Sequence, residues 1–381
     1  MQRETYLPFG RPNFSAAEEE AILRVLRTGW VGMGPETMEF EQELAVCIGA
    51  PHVVTVNSCT SALFLSLLVS GIGPGDEVIC PSLTWCSTAN AALYLGAKPV
   101  FCDVDPDTYC ATPEMVQAKL SARTRAVMVV HMGGLAVDVD SIRAAVPPHV
   151  KIVEDAAHAF GATFASGAQV GTSGNLTCFS FYANKNLSTG EGGAIALFDP
   201  DVADRLRCFR LHALPLDAWK RFSNPNSLML SPALAELGYK MNFTDLQACI
   251  GRVQLQRQPE FHATRLAVAQ HYAKRLGAML LPVKMQARIL SEGHARHLFM
   301  IELPVDKLRS SRDELLLALR GRKIGATIHY APLHSMPLYG TQAPLPNCER
   351  IYKGILTLPI GASVTVEDAD YVMTQFRELI A

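Results

Sequence analysis

Two short runs near the middle of the chain hold the residues best suited to chemistry. The apolar run at 151–153, Lys-Ile-Val, ends in Glu154 and Asp155. An acid at the C-terminal tip of a buried strand meets whatever rests on the sheet edge. A second apolar run, Thr177 to Tyr182, ends beside Asn184 and Lys185 and is followed by Thr-Gly-Glu-Gly-Gly at 189–193. An acid and a lysine carried by two strand ends into one crevice suit pyridoxal phosphate. That cofactor needs a lysine for its Schiff base and a carboxylate to keep its ring nitrogen protonated, so that the ring acts as an electron sink. Taken singly, a lysine is usually a solvated charge and an Asp before Ala-Ala a helix cap. The reading rests on their order, with Ser180 and the glycines beside them.

Other elements must bring a phosphate site and an aromatic wall to the same crevice. Residues 52–70 read as a strand, His-Val-Val-Thr-Val, a turn, and a helix opened by Ser58, Cys59, Thr60 and Ser61. Free backbone N–H groups and the positive end of the helix dipole make such a start a phosphate cradle, although an ordinary Ser/Thr cap has the same appearance. The Gly-x-Gly-x-Gly at 71–75 precedes a strand instead of following one, so it is a turn and not a dinucleotide loop. Trp85 begins the next helix, where an indole can stack on a pyridine ring. His131 ends a strand and is given a structural role. Asp155 and His158 stand three apart and share a face if 156–160 is helical.

Strands and helices alternate through the first two thirds of the chain, which calls for an α/β fold with a mostly parallel central sheet and helices on both faces. An arm precedes a helix from about Ser15, with Glu18 as its capping-box partner. The segment from Gly238 leads into a long helix reaching about Gly277, and the irregular stretch Asp217 to Ala235 is long enough to be functional or to drape over a partner subunit. Beyond the long helix, His297–Pro304 and Ala326–Pro332 read as strands and 311–321 and 366–379 as amphipathic helices, giving a smaller C-terminal α+β domain. The expected division is 1–245 for the large domain with its arm, and 246–381 for the linking helix and small domain.

Composition limits the alternatives. A hydrophobic fraction of 49% against 18% charged residues allows a large core and a buried subunit interface. A net charge of −2 offers no field for nucleic acid or an anionic membrane. The ten cysteines form no C-x-x-C pair, so no metal site is assigned and a reducing, cytoplasmic compartment is expected. No stretch reaches the roughly 18 apolar residues of a membrane span.

The segments 154–162 (EDAAHAFGA), 179–193 (FSFYANKNLSTGEGG), 56–68 and 238–255 together resemble the DegT/DnrJ/EryC1/StrS family of sugar aminotransferases, over nearly the whole chain. The stretches SLTWCSTAN and GYKMNFTD and the pair His329-Tyr330 are most similar to enzymes that aminate a 4-keto nucleotide sugar, of the UDP-4-amino-4-deoxy-L-arabinose aminotransferase type. The resemblance implies the fold of type I pyridoxal-phosphate aminotransferases and a homodimer with shared active sites. It implies Lys185 and Asp155 as catalytic residues, and Ser58, Cys59, Thr60, Trp85, His158, Ser180 and Asn242 around the cofactor. In this reading His158 faces the ring oxygen and Asn242 crosses to the phosphate in the other subunit. Trp30, Tyr182, His329 and Tyr330 fall at the substrate, with glutamate as donor, 2-oxoglutarate as its product and a nucleotide-linked keto-sugar as acceptor. Two alternatives stand beside transamination: a sugar dehydratase, whose relatives carry His at the Lys185 position, and a non-catalytic cofactor-binding regulator.

Overall fold

The structure is a computed structural model describing residues 3–214, 223 and 236–380. Strands β1 (His52–Val56), β2 (Glu77–Pro81), β3 (Lys98–Cys102), β4 (Thr124–Val130), β5 (Lys151–Asp155), β6 (Leu176–Ser180) and β7 (Gly193–Leu197) form one sheet in the order β1-β7-β6-β5-β4-β2-β3. Strands β3, β2, β4, β5 and β6 pair in parallel, whereas β7 runs antiparallel to both β6 and β1. The strand sequences are continuous apolar runs because both faces are covered, and every residue of β2 and β7 is buried.

Helices α1 (Ala16–Thr28), α2 (Pro35–Ile48), α3 (Cys59–Val69), α4 (Cys86–Leu93), α5 (Pro113–Gln117), α6 (Val139–Ala145) and α7 (Pro200–Phe209) lie around this sheet. The capping box read at Ser15 and Glu18 is present at the start of α1. Leu63 and Leu65 of α3 join Val127, Val153 and Ile195 in one core layer. Phe40 of α2 packs on Phe181 and Phe243 in a separate layer, with ring centroids 5.7 and 5.9 Å apart.

Strand register then decides what meets at the sheet edge. Val130 lies beside Asp155 and Asp155 beside Cys178, while Ser180 and Val56 both oppose Gly193. The C-terminal ends of β1, β4, β5 and β6 therefore converge on the start of β7. This is the crevice of an open α/β sheet, where ligands bind beyond the strand tips.

The remaining helices are α8 (Asp245–Gln256), α9 (Gln258–Gly277), α10 (Arg312–Gly321), α11 (Pro346–Gly354) and α12 (Val366–Ile380). They accompany a small antiparallel sheet of β8 (Lys284–Met285), β9 (Phe299–Glu302) and β10 (Ile355–Leu358), ordered β10-β9-β8. Tyr272, Phe299, Leu356 and Phe376 fill its core, and Leu7 from the N-terminal arm sits among them. The arm is held there because Leu7 donates its N–H to the Lys323 carbonyl (2.9 Å) and accepts from the Gly325 N–H (2.8 Å).

Three local expectations change. The single long helix to Gly277 is two helices meeting at Arg257, because Pro259 has no N–H to continue the ladder and its ring clashes with the preceding turn. Residues 326–332 make one bridge, Thr327 to Thr357, and no longer strand. Residues 156–161 form tight turns, with Ala159 N–H bonded to the Ala156 carbonyl and Gly161 at φ +82°, so Asp155 and His158 do not share a helix face. The stretch Asp217 to Ala235 lies outside the described residues apart from Ser223. Among the described residues, no helix is long and apolar enough to cross a membrane.

Candidate active site

A cavity of about 450 Å³ opens at the convergence of the strand tips. Its walls include Ser58, Cys59, Thr60, Trp85, Asp155, His158, Ser180, Tyr182, Lys185, His329 and Tyr330, together with Asn184, Glu191 and Gly192. Of the residues expected at the cofactor or the substrate, only Trp30 and Asn242 are absent from these walls. Those two line a separate pocket of about 360 Å³ with Met33, Leu211 and Lys240. There the Trp30 Nε1–H donates to the Met33 carbonyl at 3.1 Å, and Lys240 donates to the Asn242 amide oxygen.

Alternation along β5 separates its two acids. Glu154 points away from the cavity and is taken up by His131 Nε2 (2.9 Å), Asn175 (2.8 Å) and Ser173. His131 Nδ1 accepts from the Val137 N–H at 3.0 Å, so His131 works inside the scaffold. Asp155 faces the cavity and is 4% exposed. Its Oδ2 accepts from the Thr88 hydroxyl at 2.7 Å and its Oδ1 from the Ala157 N–H at 3.2 Å. Burial raises its pKa, against those two bonds and the nearby Lys185 and His131. No Lys, Arg or His forms an ion pair with it among the described residues.

Lys185 follows the β6 tip in a turn closed by its N–H on the Tyr182 carbonyl at 2.9 Å. Burial lowers its amine from the ordinary 10.5 to about 8; Arg265 adds to this, while Cys59 and Asp155 oppose it. The amine meets His297 Nε2 at 3.5 Å.

The third corner is the start of α3. Ser58 caps it, accepting from the Ser61 N–H at 3.1 Å, and the Ser61 hydroxyl donates to Asn57 Oδ1 at 2.6 Å. The N–H groups of Cys59 and Thr60 head the helix, where no earlier turn supplies a carbonyl. Gly193 makes room for this turn: a Cβ there would stand 2.6 Å from the Ser58 carbonyl carbon and 2.7 Å from the Cys59 nitrogen.

Aromatic and imidazole rings form the opposite wall. Trp85 precedes α4 and is 60% exposed, so its face is free to receive a flat ring; its ring lies 5.8 Å from that of Tyr330. His158 is engaged at both nitrogens, Nδ1 accepting from the Gly133 N–H at 3.3 Å and Nε2 meeting the Tyr330 hydroxyl at 3.1 Å. Burial and the Lys185 charge keep it neutral, so Nε2 carries the hydrogen and Tyr330 accepts it. The phenol of Tyr330, and not the imidazole, is then left with a proton to donate. His329 Nδ1 meets the Thr357 hydroxyl at 2.9 Å, and burial, then Lys185, lowers its pKa to about 3. Tyr182 is 48% exposed at the cavity rim.

Thr88 and His297 escaped the sequence reading. Thr88 stands one turn after Trp85, and a buried carboxylate needs donors, so a search for hydroxyls on that helix would have found it. His297 has no local signal, because its link to Lys185 spans 112 positions.

These residues fit pyridoxal phosphate. The carboxylate of Asp155 is buried without a cation, which a protonated ring nitrogen would supply, and the α3 start offers N–H donors on a turn that Gly193 lets lie close against the sheet. Comparison with known proteins agrees. The chain is 38% identical to the spore coat polysaccharide biosynthesis protein SpsC of Bacillus subtilis, over all of this chain and 98% of that protein. It superposes on the aminotransferase TlmJ of Streptoalloteichus hindustanus with a TM-score of 0.88 at 34% identity, covering 98% of both chains. It matches S. venezuelae DesV, solved in complex with a ketimine intermediate, with a TM-score of 0.84 at 33% identity over 95% of this chain and 94% of that one. With a family model matching residues 12–377 as well, the chain belongs to the DegT/DnrJ/EryC1/StrS aminotransferase family, whose members are pyridoxal-phosphate-dependent transaminases.

Proposed function

We propose that this enzyme moves an amino group from glutamate to the keto carbon, C4, of a nucleotide-linked deoxysugar, in a cytoplasmic compartment consistent with its ten free cysteines. The observation that carries the transaminase site is the buried Asp155 carboxylate sharing one cavity with the Lys185 amine and the α3 N-terminus. Pyridoxal phosphate, when bound, supplies the electron sink that makes a proton next to the nitrogen acidic.

The chain's own residues divide the remaining work. Ser58, Thr60 and the first N–H groups of α3 receive the phosphate, with Cys59 forming the turn and Ser180 beside it. Asp155, oriented by Thr88 and Ala157, hydrogen-bonds and charge-balances the ring nitrogen. Trp85 would cover one face of the ring. Tyr330 accepts from His158 and keeps its own O–H, so the phenol would be the donor to a ring oxygen of the bound cofactor, with His158 acting through it. Lys185, with a pKa of about 8, has enough neutral amine near pH 7 to be the group that would hold the cofactor covalently and, when free, would take up and return a proton as general acid and base. His329 and Tyr182 face the space left for the sugar.

Trp30, Lys240 and Asn242 belong in this reading to the site of a second subunit, which makes the enzyme a homodimer with shared active sites. The sugar acceptor is supported by the relatives, since SpsC is a spore coat polysaccharide biosynthesis protein. The nucleotide linkage, the C4 position and the glutamate donor rest on the sequence resemblance.

An absorption spectrum tests the reading. Protein mixed with pyridoxal phosphate should develop the yellow band of a lysine-bound cofactor, glutamate should bleach it, and a keto nucleotide sugar should restore it. A band that glutamate leaves unchanged would refute the glutamate donor and favour a regulator. No band would refute the cofactor assignment.

A further inference from the structure

The amine of Lys185 has a neighbour that the reading above does not use, and the hydrogen-bond pattern fixes which of the two gives the proton. Asn186 turns away from the cavity, and its Nδ2 donates to the Ala295 carbonyl at 2.8 Å and the Phe160 carbonyl at 3.4 Å. Both partners only accept, so the amide cannot be flipped, and its Oδ1 is the atom that faces His297 Nδ1 at 3.2 Å. Nδ1 therefore carries the hydrogen. His297 Nε2 is left with a lone pair, and this is the atom 3.5 Å from Lys185 Nζ.

His297 is held in place independently of the amine. It is 2% exposed, its N–H donates to the Gly133 carbonyl at 3.0 Å, and its ring stacks on His158 at 4.5 Å. Burial first, then the charges of Lys185 and Arg265 and the neighbouring His158 and His329, disfavour a second proton on the ring. The tautomer thus stays the same across the working pH range.

We propose that His297, with its tautomer set by Asn186, is a positioning residue that receives the Lys185 amine whenever that amine is not bonded to the cofactor. An acceptor-only nitrogen accepts one N–H of the amine. A neutral amine that gives an N–H to His297 keeps its lone pair off the imidazole, free to face the cavity where a proton has to be taken up. Once displaced, a lysine without such a partner would sample many rotamers and lose the orientation that makes proton transfer fast. The assignment rests on the transaminase reading of Lys185, but part of its test does not.

That part uses the cofactor-free protein. Acylation of Lys185 is followed against pH and read on the Lys185 peptide by mass spectrometry. The groups facing the amine are Asp155, Cys59, Arg265, His158, His329 and His297, and only the last is changed. The wild type should titrate at about 8. An acceptor bonded to the ammonium stabilises the charged form, so His297→Phe, which keeps a ring on His158, should lower the midpoint by about one pH unit. His297→Gln, whose amide oxygen reaches the same place, should restore it. Asn186→Leu releases the tautomer and should also lower the midpoint. In the loaded enzyme, His297→Phe should reduce kcat about 10- to 100-fold with KM for the amino donor within about twofold.

A His297→Phe profile that superposes on the wild type, or moves upward, in a protein with unchanged melting would overturn the role of His297. Separately, borohydride treatment of the loaded wild type should fix the cofactor mass on Lys185. Failure there would refute the transaminase reading, and the role of His297 with it. A wild type that does carry the cofactor but shows an unmoved variant profile refutes the His297 assignment alone.

Discussion

Replacing Lys185 by Met should abolish turnover and, at the same time, stabilise the cofactor-free protein. The amine sits in the folded chain with a pKa of about 8, lowered from 10.5 chiefly by burial. Below about pH 8 the folded and unfolded chains both hold this proton, but the folded chain holds it more weakly and is penalised. Between 8 and 10.5 the folded amine is neutral while the unfolded one remains charged, so the penalty shrinks; above 10.5 both are neutral and it is gone. The gap from 10.5 to about 8, at about 1.36 kcal/mol per pH unit, sets a ceiling of about 3 kcal/mol. Lys185 is only partly buried, so water offsets some of this and about 2 kcal/mol is expected. Met keeps the length and apolar stem of the side chain and removes the charge.

The assay is a pair of thermal melts of the cofactor-free proteins. At pH 7 the Lys185→Met midpoint should lie roughly 3 °C above the wild type, and the difference should close by about pH 10.5. Equal or lower stability of the variant at pH 7, or a difference that widens as pH rises, would refute the argument that burial of the amine costs stability here. Full turnover by the variant would refute its role in the chemistry.

Two further substitutions probe the other corners of the cavity. Asp155→Asn preserves the bond from Thr88 but cannot balance a protonated ring nitrogen, so the variant should retain pyridoxal phosphate by spectrum while losing about 100-fold or more in kcat; an unchanged rate would mean that the ring nitrogen has another partner. Gly193→Ala places a methyl group 2.6 Å from the Ser58 carbonyl carbon and must push the α3 turn outward. Cofactor affinity, measured by absorbance titration, should weaken about 10- to 100-fold, and an unaltered affinity would mean that this turn does not hold the phosphate.

The parts of the site readable from the sequence are those whose signals are local. Asp155 and Lys185 each end an apolar run, the helix opened by Ser58 follows a strand, and Trp85 starts the next helix; in each case a few neighbouring residues carry the whole signal. The same local reasoning placed the capping box at Ser15 and Glu18 and the alternation of strands and helices. It reads one helix where Pro259 makes two, and it allows a helix at 156–160 where Gly161 turns the chain, since in both places a single residue overrides the surrounding pattern.

The hydrogen-bonded connections within the site were decided only by the fold. Asp155 finds Thr88 across 67 positions, Lys185 finds His297 across 112, and His158 finds Tyr330 across 172. These pairs depend on the strand order β1-β7-β6-β5-β4-β2-β3 and on registers such as Gly193 against both Val56 and Ser180. Register and order are selected by the packing of two covered faces summed over the whole domain, and a one-residue slip would turn Asp155 into the scaffold and Glu154 into the cavity. The sequence could therefore name the acid and the amine, while only the packed sheet decides which way each points and which neighbour holds it.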